Sequence, residues 1–333
     1  MNLYFAPMES ITMYPLRNIH KEMFGDGISK YYSPFVTAAK SKHFKNREKN
    51  DILPIHNTAF EQEGAELVIQ IMSGNSETFL WAAKEIVALG YKEINLNLGC
   101  PAATVVNRHK GAGLLADPDY LDSMLEEIFE GKKNELADTD ISIKTRLGIT
   151  DENEAIKLME IYAKYPISEI TVHARVKDDF YKNSPRLDAF CNSVKRYREC
   201  GGKALIGYNG NIFSKDDYEK TMDILDSSNI EDEISSVMLG RGLLENPALA
   251  REIKGGDKLS ASELKEYLTR LYAGYEEFIP EDRNVIFKLL EHWAFIHTHF
   301  KNCDKYLKAI RKARSKGEYL AAVRNIFASC EFN

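Results

Sequence analysis

Apolar residues recur along the chain in short runs at fairly even intervals, at 3–6, 35–38, 67–71, 94–98, 141–145, 169–173, 204–208 and 236–239. Runs of this length rich in Val, Ile, Leu and aromatics predict strands. Between them the spacing changes to helical periodicity, for example over 77–89, 118–129, 154–165 and 214–225. Asp117 ahead of Pro118 gives one of these a cap and a first helical residue. The run at 94–98 stands apart because Ile94, Leu96 and Leu98 alternate with Asn95 and Asn97. Gly99-Cys100-Pro101 then stops it abruptly.

Eight strand-helix units whose strands read as nearly continuous apolar runs predict an α/β chain closed into a (β/α)8 TIM barrel, since such strands are covered on both faces. A doubly wound open sheet is the competing arrangement, and the absence of G-x-G-x-x-G after the first strand disfavours it. After 253 the texture is helical only, over 259–278, 284–300, 304–314 and 318–327. The boundary is placed at Gly255-Gly256, giving a barrel over 1–254 and a C-terminal all-helical domain over 257–333.

Composition narrows the class. No run approaches the roughly 18 apolar residues of a membrane span, and the N-terminus lacks the zones of a secretion signal. A soluble, cytoplasmic protein with no membrane contact is expected. The five cysteines are scattered and contain no C-x-x-C pair, which argues against a disulfide framework and against a metal site. A monomer is expected. The net charge is -6, yet residues 283–324 hold ten basic residues against three acidic, a local +7, so the rest of the chain carries -13. A second basic cluster runs from Lys40 to Lys49. Such runs usually face solvent, and they matter for a nucleic-acid partner only if the fold unites them.

In a (β/α)8 barrel the chemistry sits at the C-terminal ends of the strands. In this chain those ends are Pro7 and Met8 on the first strand and the basic loop on the second. Gln70 stands on the third, Asn97 and Cys100 on the fourth, Lys144 and Arg146 on the fifth, and His173 and Arg175 on the sixth. Asn209, Gly210 and Asn211 close the seventh, and Gly240-Arg241-Gly242 the eighth. Taken singly, each has an ordinary structural reading: a snorkelling lysine, a satisfied core histidine, a strand-end thiol, a turn. Together they point to a phosphate-bearing ligand, because loops seven and eight are where barrels hold phosphate. FMN fits better than a sugar phosphate, since Gln70 and Lys144 suit the ring edge that carries negative charge when reduced.

Six blocks, at 95–101 with 111–115, 143–146, 172–175, 209–212 and 238–242, with Ala6-Pro7-Met8 ahead of them, make the barrel resemble the tRNA-dihydrouridine synthase family. The resemblance covers about residues 3–252 in order, and the Cys-Pro block is its most specific part. The helical tail is similar in placement and character to the family's tRNA-binding domain. What the resemblance implies is an FMN-bound barrel reduced by NADPH, passing hydride to C6 of a uracil in tRNA. Cys100 matches the proton donor to C5, and Asn97 a contact to the uracil. Gln70, Lys144 and His173 match flavin contacts, and Asn209, Gly210, Gly240 and Arg241 the phosphate site, with Pro7, Met8 and Asn211 beside the cofactor. Arg146, Arg175 and Tyr181 correspond to residues near the target base. Asn211 stands where the family usually has Asp, and Ala174 where it usually has Gly. The role given to Cys100 is chemically coherent, because a thiol of pKa about 8.5 is mostly protonated at neutral pH.

Two other readings compete. An FMN barrel acting on a free pyrimidine, similar to dihydroorotate dehydrogenase, accounts for the strand ends but not for the basic tail. A non-catalytic tRNA-binding protein accounts for the tail but leaves Cys100, Lys144 and His173 without purpose.

Overall fold

The computed structural model describes residues 1–61 and 64–333. Nine strands form one wholly parallel sheet: β1 (Asn2–Phe5), β2 (Ile28–Tyr32), β3 (Val36–Thr37), β4 (Glu66–Met72), β5 (Glu93–Leu98), β6 (Asp140–Gly148), β7 (Glu169–Val176), β8 (Leu205–Asn209) and β9 (Ile234–Leu239). The order β2-β1-β9-β8-β7-β6-β5-β4-β3 is closed by pairing of β2 with β4, which makes an eight-staved barrel. The TIM-barrel architecture expected from the sequence is the observed one.

The second stave differs from the expectation. The run at 35–38 is only its tip, and the body is β2, seven residues earlier. Pro34 lacks an N–H and interrupts the stave between β2 and β3. Around the break, Ser33 N–H donates to Val68 O at 3.0 Å and Ser33 Oγ accepts Gln70 N–H at 3.1 Å, so a hydroxyl stands in for a ladder carbonyl. Val36 and Thr37 then pair with Ile71 and Met72. The periodicity of β2 is masked by Lys30, whose ammonium points into the barrel and pairs with Glu93 at 2.6 Å and Glu169 at 3.1 Å. Ser142, Ser236 and Tyr4 donate to the same two carboxylates and complete a buried polar plug at the lower end of the barrel. A buried ion pair is tolerable only with its remaining lone pairs satisfied in this way.

Helix starts follow the caps legible in the sequence. Asp117 accepts Tyr120 N–H at 3.1 Å at the head of Pro118–Glu135, and Ser214 accepts Asp217 N–H at 3.1 Å at the head of Lys215–Ser227. Beyond Gly256 the helices Ala261–Glu276, Asp282–Ile296, Asp304–Lys312 and Lys316–Ser329 follow one another, and the extended pairing there is a single bridge between Phe300 and Phe332. The first of these helices lies on the barrel helix Tyr14–Phe24. Tyr267 packs edge-on against Phe24 at 5.6 Å, and at Gly274 an added Cβ would stand 3.1 Å from Ile19. One continuous apolar cluster therefore runs from Leu3 in β1 to Ile326 in the last helix. No helix among the described residues is long and apolar enough to cross a membrane.

Candidate active site

Cys100 leaves β5 where its alternation stops, and its backbone is held from both edges. The side-chain oxygen of Asn97 accepts the N–H of Gly99 at 3.1 Å and of Cys100 at 2.9 Å. Arg146 Nε donates to Gly99 O at 2.8 Å, and Ala112 N–H to Cys100 O at 3.0 Å. Gly111 has φ +54°, and a Cβ there would come within 3.0 Å of both Cβ and O of Cys100. Glycine is thus the residue that lets this turn approach the thiol so closely.

Asn97 also begins an axial ladder. Its Nδ2 donates to Gln70 Oε1 at 2.6 Å, Gln70 Nε2 to Asn95 Oδ1 at 2.8 Å, and Asn95 Nδ2 to Ser142 Oγ at 2.9 Å. Ser142 then donates to Glu93 Oε1 at 2.6 Å. Two backbone donors fix the sense at the top and an acceptor-only carboxylate fixes it below, so every amide between has one permitted orientation. The catalytic-face loop is thereby tied to the Lys30 plug through side chains of three staves.

Above this ladder lies a cavity lined from all eight staves. Pro7, Met8, Gln70, Asn97, Cys100, Lys144, Arg146, His173, Tyr181, Asn209, Gly210, Gly240 and Arg241 all face it. Arg175 and Asn211 do not. Arg175 is fully buried behind His173 and donates to His173 Nε2 at 3.0 Å, to Asn211 Oδ1 at 3.0 Å and to Asn183 O at 2.7 Å. Asn211 Oδ1 also accepts from Arg241 at 2.7 Å. The sequence reading passed over Glu9, Pro34 and Phe35, which line the same cavity. Glu9 was available as the residue directly after Ala6-Pro7-Met8, whereas Pro34 and Phe35 depended on locating β2 correctly. Lys110, in the turn beyond Cys100, donates to Ala38 O at 3.1 Å and acts as a strut across β4 to the stave of β2 and β3.

The charges are predominantly cationic. Among the described residues Glu9 is the one carboxylate on a wall that carries Lys144, Arg146 and Arg241. Lys144 donates to Asn209 Oδ1 at 3.0 Å and forms no ion pair among the described residues. Burial, reinforced by Arg146, pushes its ammonium down to about 7. Asn211 bridges two guanidiniums without cancelling either charge, as an aspartate would. Because Arg175 can only donate, His173 Nε2 accepts and its proton sits on Nδ1. Burial and the surrounding cations hold His173 well below its usual range, so the ring is neutral. Burial raises the Cys100 thiol, which Arg146 and Lys144 only partly oppose, so the sulfur keeps its proton at neutral pH. Arg241 lies 4.4 Å from the Tyr181 ring, and Tyr181, half exposed, closes one side of the mouth.

The arrangement can hold an anion against its cations and deliver a proton from sulfur. Comparison with known proteins identifies the family. The family model described as Dihydrouridine synthase (Dus) matches residues 4–330. The tRNA-dihydrouridine(16) synthase of Aquipseudomonas alcaligenes is 28% identical over 254 residues, covering 76% of this chain and 75% of that protein. The protein of the same name from Neisseria meningitidis serogroup B is 26% identical over 335 residues, covering 99% and 94%. In structure, the old yellow enzyme homologue from Zymomonas mobilis superposes with a TM-score of 0.52 over 79% of this chain and 91% of that one, at 10% identity, a likeness of fold.

Proposed function

Since this chain belongs to the dihydrouridine synthase family, we propose that it reduces a uridine of tRNA to 5,6-dihydrouridine, with FMN in the barrel cavity and NADPH as the reductant. The observation that carries this reading is the juxtaposition of a protonated thiol with a predominantly cationic cavity.

The residues present fit FMN. Lys144 has donors to spare and its charge is strained by burial, which an anionic ring edge would relieve. Gln70 and the Nδ1–H of His173 add donors beside it. Arg241 with Gly210 and Gly240 would hold the phosphate, Pro7 and Met8 would pack beside the cofactor, and Asn209 would steady Lys144. Arg175 and Asn211 act from behind, orienting His173 and Arg241. Bound FMN, once reduced by NADPH, supplies the hydride that adds at C6 of uracil.

Negative charge then develops on C5 and its conjugated carbonyl. Cys100 gives its proton to C5, the ring double bond is replaced by two C–H bonds, and the thiolate recovers a proton from solvent. Asn97 and Arg146 keep Cys100 in place, and Arg146 and Tyr181 border the space left for the base. A uridine in folded RNA must be turned out to reach this depth, at a cost of a few kcal/mol. Phosphate contacts offset it, and we assign them to the loop Lys40 to Lys49 and to the helical segment 257–333, read as the RNA-binding domain. The names of the two relatives make position 16 the target we infer. The test is anaerobic reoxidation of the reduced, FMN-loaded protein: unmodified tRNA restores the oxidised flavin spectrum on this reading, and a free pyrimidine does not.

A further inference from the structure

A second cavity, of about 610 Å³, opens between the barrel and the helical segment. Tyr14, Arg47 and His56 form its barrel wall, and Phe278, Phe287 and Lys288 its helical wall. A smaller pocket lies between it and the active site. Glu9 and Phe35 line both the catalytic cavity and this smaller pocket, and Arg47 lines both the smaller pocket and the second cavity.

Three features state what it can hold. Flat rings are presented in series: Tyr14 stacks on His56 at 5.1 Å and 27°, and meets Phe278 at 5.3 Å. Phe287 is 50% exposed although the same helix buries Val285, Ile286 and Leu289, so its ring is left out of the core. Of the cations, Lys288 pairs with Glu291 at 2.6 Å, and both line the cavity, whereas the two guanidiniums nearby do not pair. Arg47 makes its one hydrogen bond to Met13 Sδ at 3.3 Å, Arg283 lies over the Phe287 ring at 5.3 Å, and neither forms an ion pair among the described residues. The barrel wall is also pre-formed, because Asp51 accepts Tyr14 N–H at 2.7 Å and pairs with buried Arg17 at 2.9 Å.

Aromatic faces beside a guanidinium that forms no ion pair suit a base next to a phosphate. A purely apolar partner would leave Arg47 desolvated and unpaired. We propose that this groove binds one further unpaired nucleotide of the same RNA whose target base enters the barrel, stacking that base on Phe287 and Phe278 and placing its phosphate at Arg47. The proposal rests on the tRNA reading above and adds a second point of readout, which fixes the direction in which the strand crosses the mouth.

The test uses the full-length, FMN-loaded protein with unmodified tRNA. Phe287→Trp places an indole at the stacking position, where it would be quenched by a stacked base; the background of Trp81 and Trp293 is subtracted with the wild type. Quenching that saturates together with RNA binding, measured separately by gel shift, is the expected result. Phe287→Ala should weaken binding about 5- to 100-fold with unchanged flavin content. Full RNA binding without quenching overturns the proposal and leaves the tRNA reading intact, whereas absence of RNA binding overturns both. A concentration-dependent dimer that Phe287→Asp dissolves would assign the groove to a second copy of the chain and also overturn it.

Discussion

The side-chain oxygen of Asn97 accepts the backbone N–H of Cys100 at 2.9 Å, while its amide nitrogen donates to Gln70 at 2.6 Å. The resemblance casts Asn97 as a contact to the uracil, but its carbonyl is already committed to the loop that carries the thiol. One amide hydrogen is left for the cavity, and the larger duty of the residue is to set the height of Cys100 above the ladder. Asn97→Leu would strand the N–H groups of Gly99 and Cys100 and the oxygen of Gln70, each buried unpaired group costing about 1–3 kcal/mol. The expected outcome is a lower urea midpoint together with turnover reduced at least about 100-fold, with yellow colour retained. Equal turnover with a lowered midpoint would show that the clamp serves stability alone.

Glu93 lies at the other end of the ladder, remote from the cavity, where it accepts from Ser142 and pairs with Lys30. Glu93→Gln removes one partner of a nearly buried ammonium and offers the ladder a group able to donate back. A loss of about 3 kcal/mol in unfolding free energy is expected, readable by urea titration. Because the amides above lose their single permitted orientation, FMN affinity should fall as well. Glu93→Gln with wild-type stability would contradict the view of the plug as a satisfied ionic core.

Lys144 gives a pH dependence whose sign is fixed. Burial holds its pKa at about 7 in the free protein, and an anionic partner in the cavity would raise it. The stabilised form is the protonated one, so affinity for FMN is full below pH 7 and declines above it, by at most about tenfold per pH unit. Titrating apoprotein with FMN between pH 6 and 9 checks this. Lys144→Met should bind more weakly at pH 6 and lose most of the slope.

Association with tRNA should be strongly salt-dependent although the net charge of the chain is -6. Neutralising four phosphates would cost about 100-fold in affinity between 0.05 and 0.2 M salt. A filter-binding series measures the slope, and Arg47→Ala should reduce it by roughly one phosphate equivalent. An affinity indifferent to salt would remove RNA from the picture.

Most of the barrel was legible because β4 to β9 bury apolar side chains on their outer faces and so read as short hydrophobic runs. The second stave was not, because Lys30 breaks its run and Pro34 splits its ladder, and both make sense only once Glu93 and Glu169 converge from distant strands. The site showed the same division. Which residue types stand at the strand ends was visible in the sequence, and of the residues given a role by the resemblance all but Arg175 and Asn211 line the cavity. Depth was not visible. The Ala-for-Gly and Asn-for-Asp departures flank an arginine that reaches back to His173 and Asn211, a contact that depends on β7 and β8 lying side by side. The groove at Phe287 escaped because its two walls come from segments more than 200 residues apart.

The most direct measurement mixes the NADPH-reduced, FMN-loaded protein with unmodified tRNA under anaerobic conditions, follows flavin reoxidation and maps dihydrouridine by position. Wild type should reoxidise and leave dihydrouridine at one position, expected to be 16, while Cys100→Ala should keep its FMN and its tRNA but react roughly 100- to 10,000-fold more slowly. Reduced flavin that tRNA leaves untouched, or tRNA that carries no dihydrouridine at any position afterwards, would contradict the function proposed for this chain.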